Sequence, residues 1–137
     1  MTANRIIKGL YVGDYIDAHN TNGKVDVLVN VLESRSPVTD VAGELHIPIA
    51  KEGRDGSMHA DIKQLNKVAS IIDKNLKAHK MILLHCAAGS ERSPLTIMWY
   101  LHVKKGVPLN VAYEIVKARR PQTRYCLNWI PGYDPSS

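Results

Sequence analysis

Residues 81–106 impose the tightest constraint on how this chain can fold. The apolar run MILL at 81–84 reads as a short strand. It leads without a spacer into His85 and Cys86, and then into Ala87, Ala88, Gly89, Ser90, Glu91 and Arg92. A helix follows, with Ser93 as N-cap, Pro94 in the first turn and Gly106 as the stop. A strand that turns through small residues into a helix gathers backbone N–H groups and the positive end of a helix dipole around one point. Ala87, Ala88 and Gly89 let the backbone close tightly, and Gly89 can take φ > 0. Arg92 offers a planar fork that fits two oxygens of a tetrahedral anion.

Cys86 heads this loop. A free cysteine has a pKa of about 8.5, and helix N-termini or guanidinium groups lower it to roughly 3.5–7.5. The features that hold an anion therefore also predict a reactive thiolate. At average residue usage His85, Cys86, Gly89, Arg92 and Ser93 match together by chance about once in a million start points. A buried structural cysteine is the ordinary alternative for a lone Cys, but this loop context does not suit it.

The rest of the chain supplies a frame for that segment. Residues 5–12 (RIIKGLYV) read as a strand pair around a glycine, and residues 25–32 (VDVLVNVL) as a buried strand. Residues 44–49 read as another strand, closed by the breakers at 51–57. Between 59 and 76 the period becomes helical, with Ile62, Leu65, Val68, Ala69, Ile72 and Leu76 on one face. A last helix is expected over 109–119, ended by Pro121, and the tail that carries Trp129 is expected to be only partly ordered. No repeats or linker-like stretches break the chain, so residues 1–137 read as one α/β domain with a mostly parallel sheet flanked by helices. In such sheets ligands bind beyond the carboxyl ends of the strands, where Cys86 falls.

Composition narrows the function classes. At 137 residues the chain can bury a core without metal or disulfide staples. Its two cysteines do not make a disulfide framework, which favours a reducing, cytoplasmic setting. No apolar run approaches the roughly 20 residues that cross a bilayer. Residues 1–7 lack the apolar segment of a secretory signal. The six histidines show no metal-ligand spacing, so neither a metal nor another cofactor is expected. The net charge of +5 suits a phosphorylated partner without singling one out. The basic run at 117–120 reads as a solvated helix end.

The run His85-Cys86-x5-Arg92-Ser93 resembles the signature of cysteine-based protein tyrosine phosphatases, especially the small dual-specificity branch. Residues 9–13 (GLYVG) resemble that branch's opening strand. Asn30-Val31 is similar to the close of its next strand, residues 99–102 (WYLH) to a helix segment with two departures, and Arg119-Arg120-Pro121 to the close of its penultimate helix. The resemblance covers most of the chain and implies a central mixed sheet flanked by helices.

It also implies roles. Cys86 would be the nucleophile, and residues 87–92 with Arg92 would bind the phosphate. His85 would orient the loop from behind, although by itself it reads as a core residue. Ser93 would help the thiolate leave, in addition to capping. The family's general acid is usually an Asp about 30 positions before the cysteine. Asp55 lies 31 before it, between Gly53 and Gly56, with Asp61 and His59 as reserves; its plain alternative is an ordinary Asp-Gly turn. The implied activity is hydrolysis of phosphate monoesters in phosphorylated proteins. Alternatives are a 5′-triphosphorylated RNA or inositol phospholipid substrate, or a phosphate-binding module without catalysis. Cys126 reads as a free tail cysteine.

Overall fold

The computed structural model describes residues 3–21, 23–33 and 43–135. A five-stranded sheet has the spatial order β1-β2-β7-β3-β4. Its strands are β1 (Asn4–Ile7), β2 (Leu10–Gly13), β3 (Val27–Asn30), β4 (Leu45–His46) and β7 (Ile82–His85). The central strand β7 pairs in parallel with β2 and β3, β3 pairs in parallel with β4, and β1 is antiparallel to β2. The mostly parallel mixed sheet expected from the sequence is therefore present. β7 is buried at every position, as its uninterrupted apolar run requires.

Side chains alternate across the sheet, so β7 feeds two packing faces. Ile82 and Leu84 join the main core with α2 (Ile62–Lys77), α3 (Arg92–Lys105) and α4 (Leu109–Arg119). Leu83 packs on the other side with Leu28 and with Ala18 of α1 (Tyr15–Asn20). Helix α3 lies between α2 and α4 and buries residues all round, including Leu95, Ile97, Met98 and Tyr100. Each such apolar side chain contributes about 1.5–3 kcal/mol on burial. Gly106 ends α3 at φ 69°, the left-handed geometry expected of a C-terminal glycine. No described helix is long and apolar enough to cross a membrane.

Several expected boundaries shift. Helix α2 starts at Ile62 rather than near His59, because Met58–Ala60 forms β6 and Asp61 caps the helix by accepting from Gln64 N–H. The breakers at 51–57 belong to a hairpin in which β5 (Ala50–Glu52) pairs with β6. The strand expected over 44–49 shortens to β4. Helix α1 carries a reciprocal Asp14–Asp17 capping box that sequence reading passed over. The tail packs on the core as far as Tyr133: Cys126, Leu127 and Ile130 are buried around the 3₁₀ turn Leu127–Trp129, and residues 136 and 137 lie outside the described residues.

Candidate active site

Cys86 follows the carboxyl end of β7, and α3 begins six residues later. Ser93 is not the N-cap of that helix. Glu91 holds the cap position and makes no side-chain cap bond, so the first amides of α3 are not capped by that side chain. Ser93 sits one turn-position into the helix, fully buried, with its Oγ 3.3 Å from Cys86 Sγ. That contact suits a hydroxyl that hydrogen-bonds a thiolate.

The loop's carbonyls reveal which way its amides face. Ala87 O accepts from Tyr15 N–H at 3.2 Å, and Ser90 O accepts from Arg124 N–H at 2.7 Å. Gly89 O accepts from Arg120 Nε at 2.6 Å, and Ala88 O from Arg120 Nη2 at 3.4 Å. A planar trans peptide points its N–H opposite its carbonyl. The amides of residues 88–91 therefore turn to the other side, the arrangement of an anion-binding nest. Gly89 has φ 68°, and a Cβ there would stand 2.5 Å from Gly13 O and 2.6 Å from Arg120 Nη2. Only glycine fits that position.

Arg120 is the main residue that sequence reading missed. The basic run at 117–120 reads as a solvated helix end, yet Arg120 is 2% exposed. Besides the two loop carbonyls, its Nη1 donates to Asn4 Oδ1 at 2.8 Å. Burial lowers its pKa, an effect that Asp17 and Asp14 oppose, yet a guanidinium stays charged at any ordinary pH. It thus ties the loop to β1 and places a cation behind the anion site. A buried arginine looks like any other Arg in a basic run, so only the neighbouring Pro121 hinted at special geometry.

Arg92 is held from three sides. Its Nε donates to Glu33 Oε1 at 2.5 Å and its Nη1 to Glu91 Oε1 at 3.3 Å. Its Cζ lies 5.3 Å from the centre of the Trp129 ring. Burial works against its charge, but Glu33, Cys86 and Glu91 outweigh that and raise its pKa. Cys126 is free of any disulfide, as expected, but it is buried instead of lying in a loose tail. Its Sγ is 4.0 Å from Glu91 Oε2, and burial, with Glu91 adding to it, pushes its pKa up to about 12, so it stays a thiol.

Behind the nucleophile, His85 is fully buried as a core residue would be, but it is also paired. Its Nε2 lies 2.7 Å from Glu44 Oε2, and Asn30 Nδ2 donates to Glu44 Oε1 at 3.2 Å. Neither carboxylate partner, Glu33 or Glu44, carried a signal in the sequence, because both pairings join distant segments.

Asp55 stands apart, exposed at the tip of the β5–β6 hairpin. Its Oδ1 accepts from Ser57 Oγ at 2.6 Å and Ser57 N–H at 3.1 Å, and Ser57 Oγ lies 2.9 Å from His59 Nε2. The Ser57 hydroxyl, then the Ser57 amide, lower the pKa of Asp55. Asp55 is thus engaged in its turn, and these bonds favour its carboxylate form. Asp61 is committed to its helix cap. The structure brings Cys86, Gly89, Arg92 and Ser93 together; it does not hydrogen-bond Asp55 to any of them.

Among the described residues, no group of three His, Cys, Asp or Glu side chains is placed to hold a metal ion. A cavity of about 510 Å³ bounded by Trp99, Pro108, Leu109 and Tyr133 lies toward the far end of α3 from Cys86, so volume does not mark the chemistry here.

The comparisons agree with this geometry. The family described as dual specificity phosphatase, catalytic domain, matches residues 10–130. A putative tyrosine phosphatase, 123R of Invertebrate iridescent virus 6, is 26% identical over 88% of this chain and 81% of its own length. Human dual specificity protein phosphatase 8 is 28% identical over 92% of the chain, which spans only 20% of that protein. Among solved structures, human DUSP28 superposes with a TM-score of 0.70 at 21% identity, covering 90% of this chain and 84% of that one. A mouse putative dual specificity phosphatase complexed with zinc tungstate gives 0.72 at 21% identity, covering 93% and 80%. A match that runs from β2 past the 3₁₀ turn takes in the whole loop and its supports, and this chain belongs to the dual specificity phosphatase catalytic domain family.

Proposed function

We propose that this domain hydrolyses phosphate monoesters on proteins, phosphotyrosine and also phosphoserine and phosphothreonine, through a cysteinyl-phosphate intermediate. The observation that carries this reading is the 3.3 Å contact between Cys86 Sγ and Ser93 Oγ at the focus of a loop whose carbonyls at residues 87–90 bond outward. In the first step the Cys86 thiolate forms a bond to phosphorus as the bond to the leaving oxygen breaks. Asp55 gives that oxygen a proton, for which the exposed hairpin tip must close over the site and Asp55 must exchange its Ser57 bonds for a proton. In the second step Asp55 takes a proton from water, and the water oxygen displaces sulfur. The Ser93 hydroxyl then stabilises the departing thiolate, while Arg92 and the loop amides balance charge on the phosphoryl oxygens throughout.

Two free cysteines, one of them a nucleophile that oxidation would silence, suit a reducing cytoplasmic compartment. The test is turnover of a generic aryl phosphate in the presence of a chelator. Wild type should turn over, and Cys86→Ser should fall below a tenth of the wild-type kcat, a loss exceeding about 1.4 kcal/mol. A serine variant that stayed above that level would remove Cys86 from the covalent step.

A further inference from the structure

The charge around Arg92 is unusual for a group meant to receive a dianion. One guanidinium is bracketed by two carboxylates, Glu33 on Nε and Glu91 on Nη1, with side chains 31% and 32% exposed. A guanidinium has five N–H donors. Two are taken by these partners, which leaves one on Nη1 and both on Nη2, enough for one edge of a single phosphoryl group. The remaining loop side chains, Ala87, Ala88 and Ser90, bring no cation, and Arg120 is buried and spent on carbonyls. Cys126, the other neighbour of Glu91, bears no positive charge to offset it. The rim at Arg92 thus carries one positive charge against two negative ones.

We infer that Glu33 and Glu91 are specificity-determining residues that restrict the site to substrates with one phosphate and no second anion beside it. The inference rests on the phosphatase reading for its meaning but not for its measurement. A first phosphoryl group meets inward amides and the free edge of Arg92. A second phosphate, whether of a polyphosphate chain or an adjacent phosphorylated group, meets the partly buried Glu91 carboxylate, where repulsion is screened but not abolished. One exposed cation that could offset this is Arg124, on the segment whose N–H bonds Ser90.

The experiment is calorimetric binding of inorganic phosphate and of pyrophosphate to wild type, Glu91→Gln, Glu33→Gln and Arg124→Ala. Binding is read directly, so an inactive enzyme would count against the phosphatase reading and leave this result intact. Glu91→Gln should tighten pyrophosphate about three- to fivefold more than phosphate, the size expected of partly exposed charge pairs. The difference should shrink as salt is raised. Glu33→Gln, which like Glu91→Gln keeps an amide oxygen to accept from Arg92, should act in the same direction. Equal tightening of both ligands would overturn the inference. So would an Arg124→Ala protein that loses pyrophosphate more than phosphate, since that would mean a seat for the second phosphate already exists.

Discussion

The loop from Cys86 to Arg92 and the β5–β6 hairpin are built in opposite ways. Between Cys86 and Arg92 the chain is fixed from outside: by the Tyr15 amide at the start of α1, by Arg120 at the end of α4, and by the Arg124 amide beyond it. Gly89 is enclosed so closely that a single methyl group would collide with Gly13. Among the described residues the β5–β6 hairpin forms a sheet of its own, and its tip bonds within the turn, through Gly53–Ser57, Gly56–Gly53 and the Asp55–Ser57 contacts. Its base, Ala50 and Ala60, is buried, while residues 54–57 are exposed. Elements with few buried contacts open at little cost. In the proposed mechanism the groups that hold and attack phosphate sit on the part fixed from outside, and the group that must approach and leave, Asp55, sits on the exposed tip.

Removing the rigid part's anchor should have the largest effect. Arg120→Met strands the Gly89 and Ala88 carbonyls and the Asn4 side chain, and buried groups left unsatisfied cost about 1–3 kcal/mol each. Urea unfolding should show a loss of about 3 kcal/mol, with activity lost in the folded fraction as well. Arg120→Lys should not rescue it, because a single ammonium cannot span two loop carbonyls and the Asn4 side chain of β1 at once. A variant with wild-type stability and activity would mean that the loop holds its shape unaided.

The mobile part should respond in its pH profile. Asp55→Asn should cut kcat by roughly 10²–10³ and flatten the high-pH limb, which reports loss of the acid's proton. Ser57→Ala should do something subtler. The Ser57 hydroxyl is the largest cause of the lowered Asp55 pKa, so its removal lets that pKa rise. A higher pKa keeps the acid protonated to higher pH, and the high-pH limb of kcat/KM should move upward. A limb that stays put in Ser57→Ala would show that the bond is already broken in the reacting enzyme. An unchanged profile in Asp55→Asn would move the acid role to His59.

What could be read from the sequence follows the same division. The strand, loop and helix around Cys86 are continuous in the chain, so local propensity and spacing were enough to place Cys86, Gly89, Arg92 and Ser93 together. Ser93 was assigned a cap because hydroxyls favour that position, but the tight loop moves the cap to Glu91 and frees Ser93 for the thiol. Arg120 and Trp129 lie far along the chain from the loop, and Glu33 and Glu44 far before it. Nothing local distinguishes them from surface charge or a loose tail. The hairpin was read as breakers because Gly53, Asp55, Gly56 and Ser57 do signal a turn, while strands of three residues are too short to show a period. The Asp55–Ser57 backbone bond could have been found, since an Asp in a glycine-flanked turn accepts from the backbone N–H two residues on, the Asx-turn pattern.

The central claim is that Cys86 carries phosphate during turnover, and trapping the intermediate tests it most directly. Asp55→Asn protein should be mixed with an aryl phosphate, quenched in acid during turnover, digested and examined by mass spectrometry. Slower hydrolysis of the intermediate in this variant should leave one phosphoryl group on the peptide that contains Cys86, and none when Cys86 is also replaced by Ser. Turnover with no phosphoryl group on that peptide, or with the group on another residue, would contradict the account.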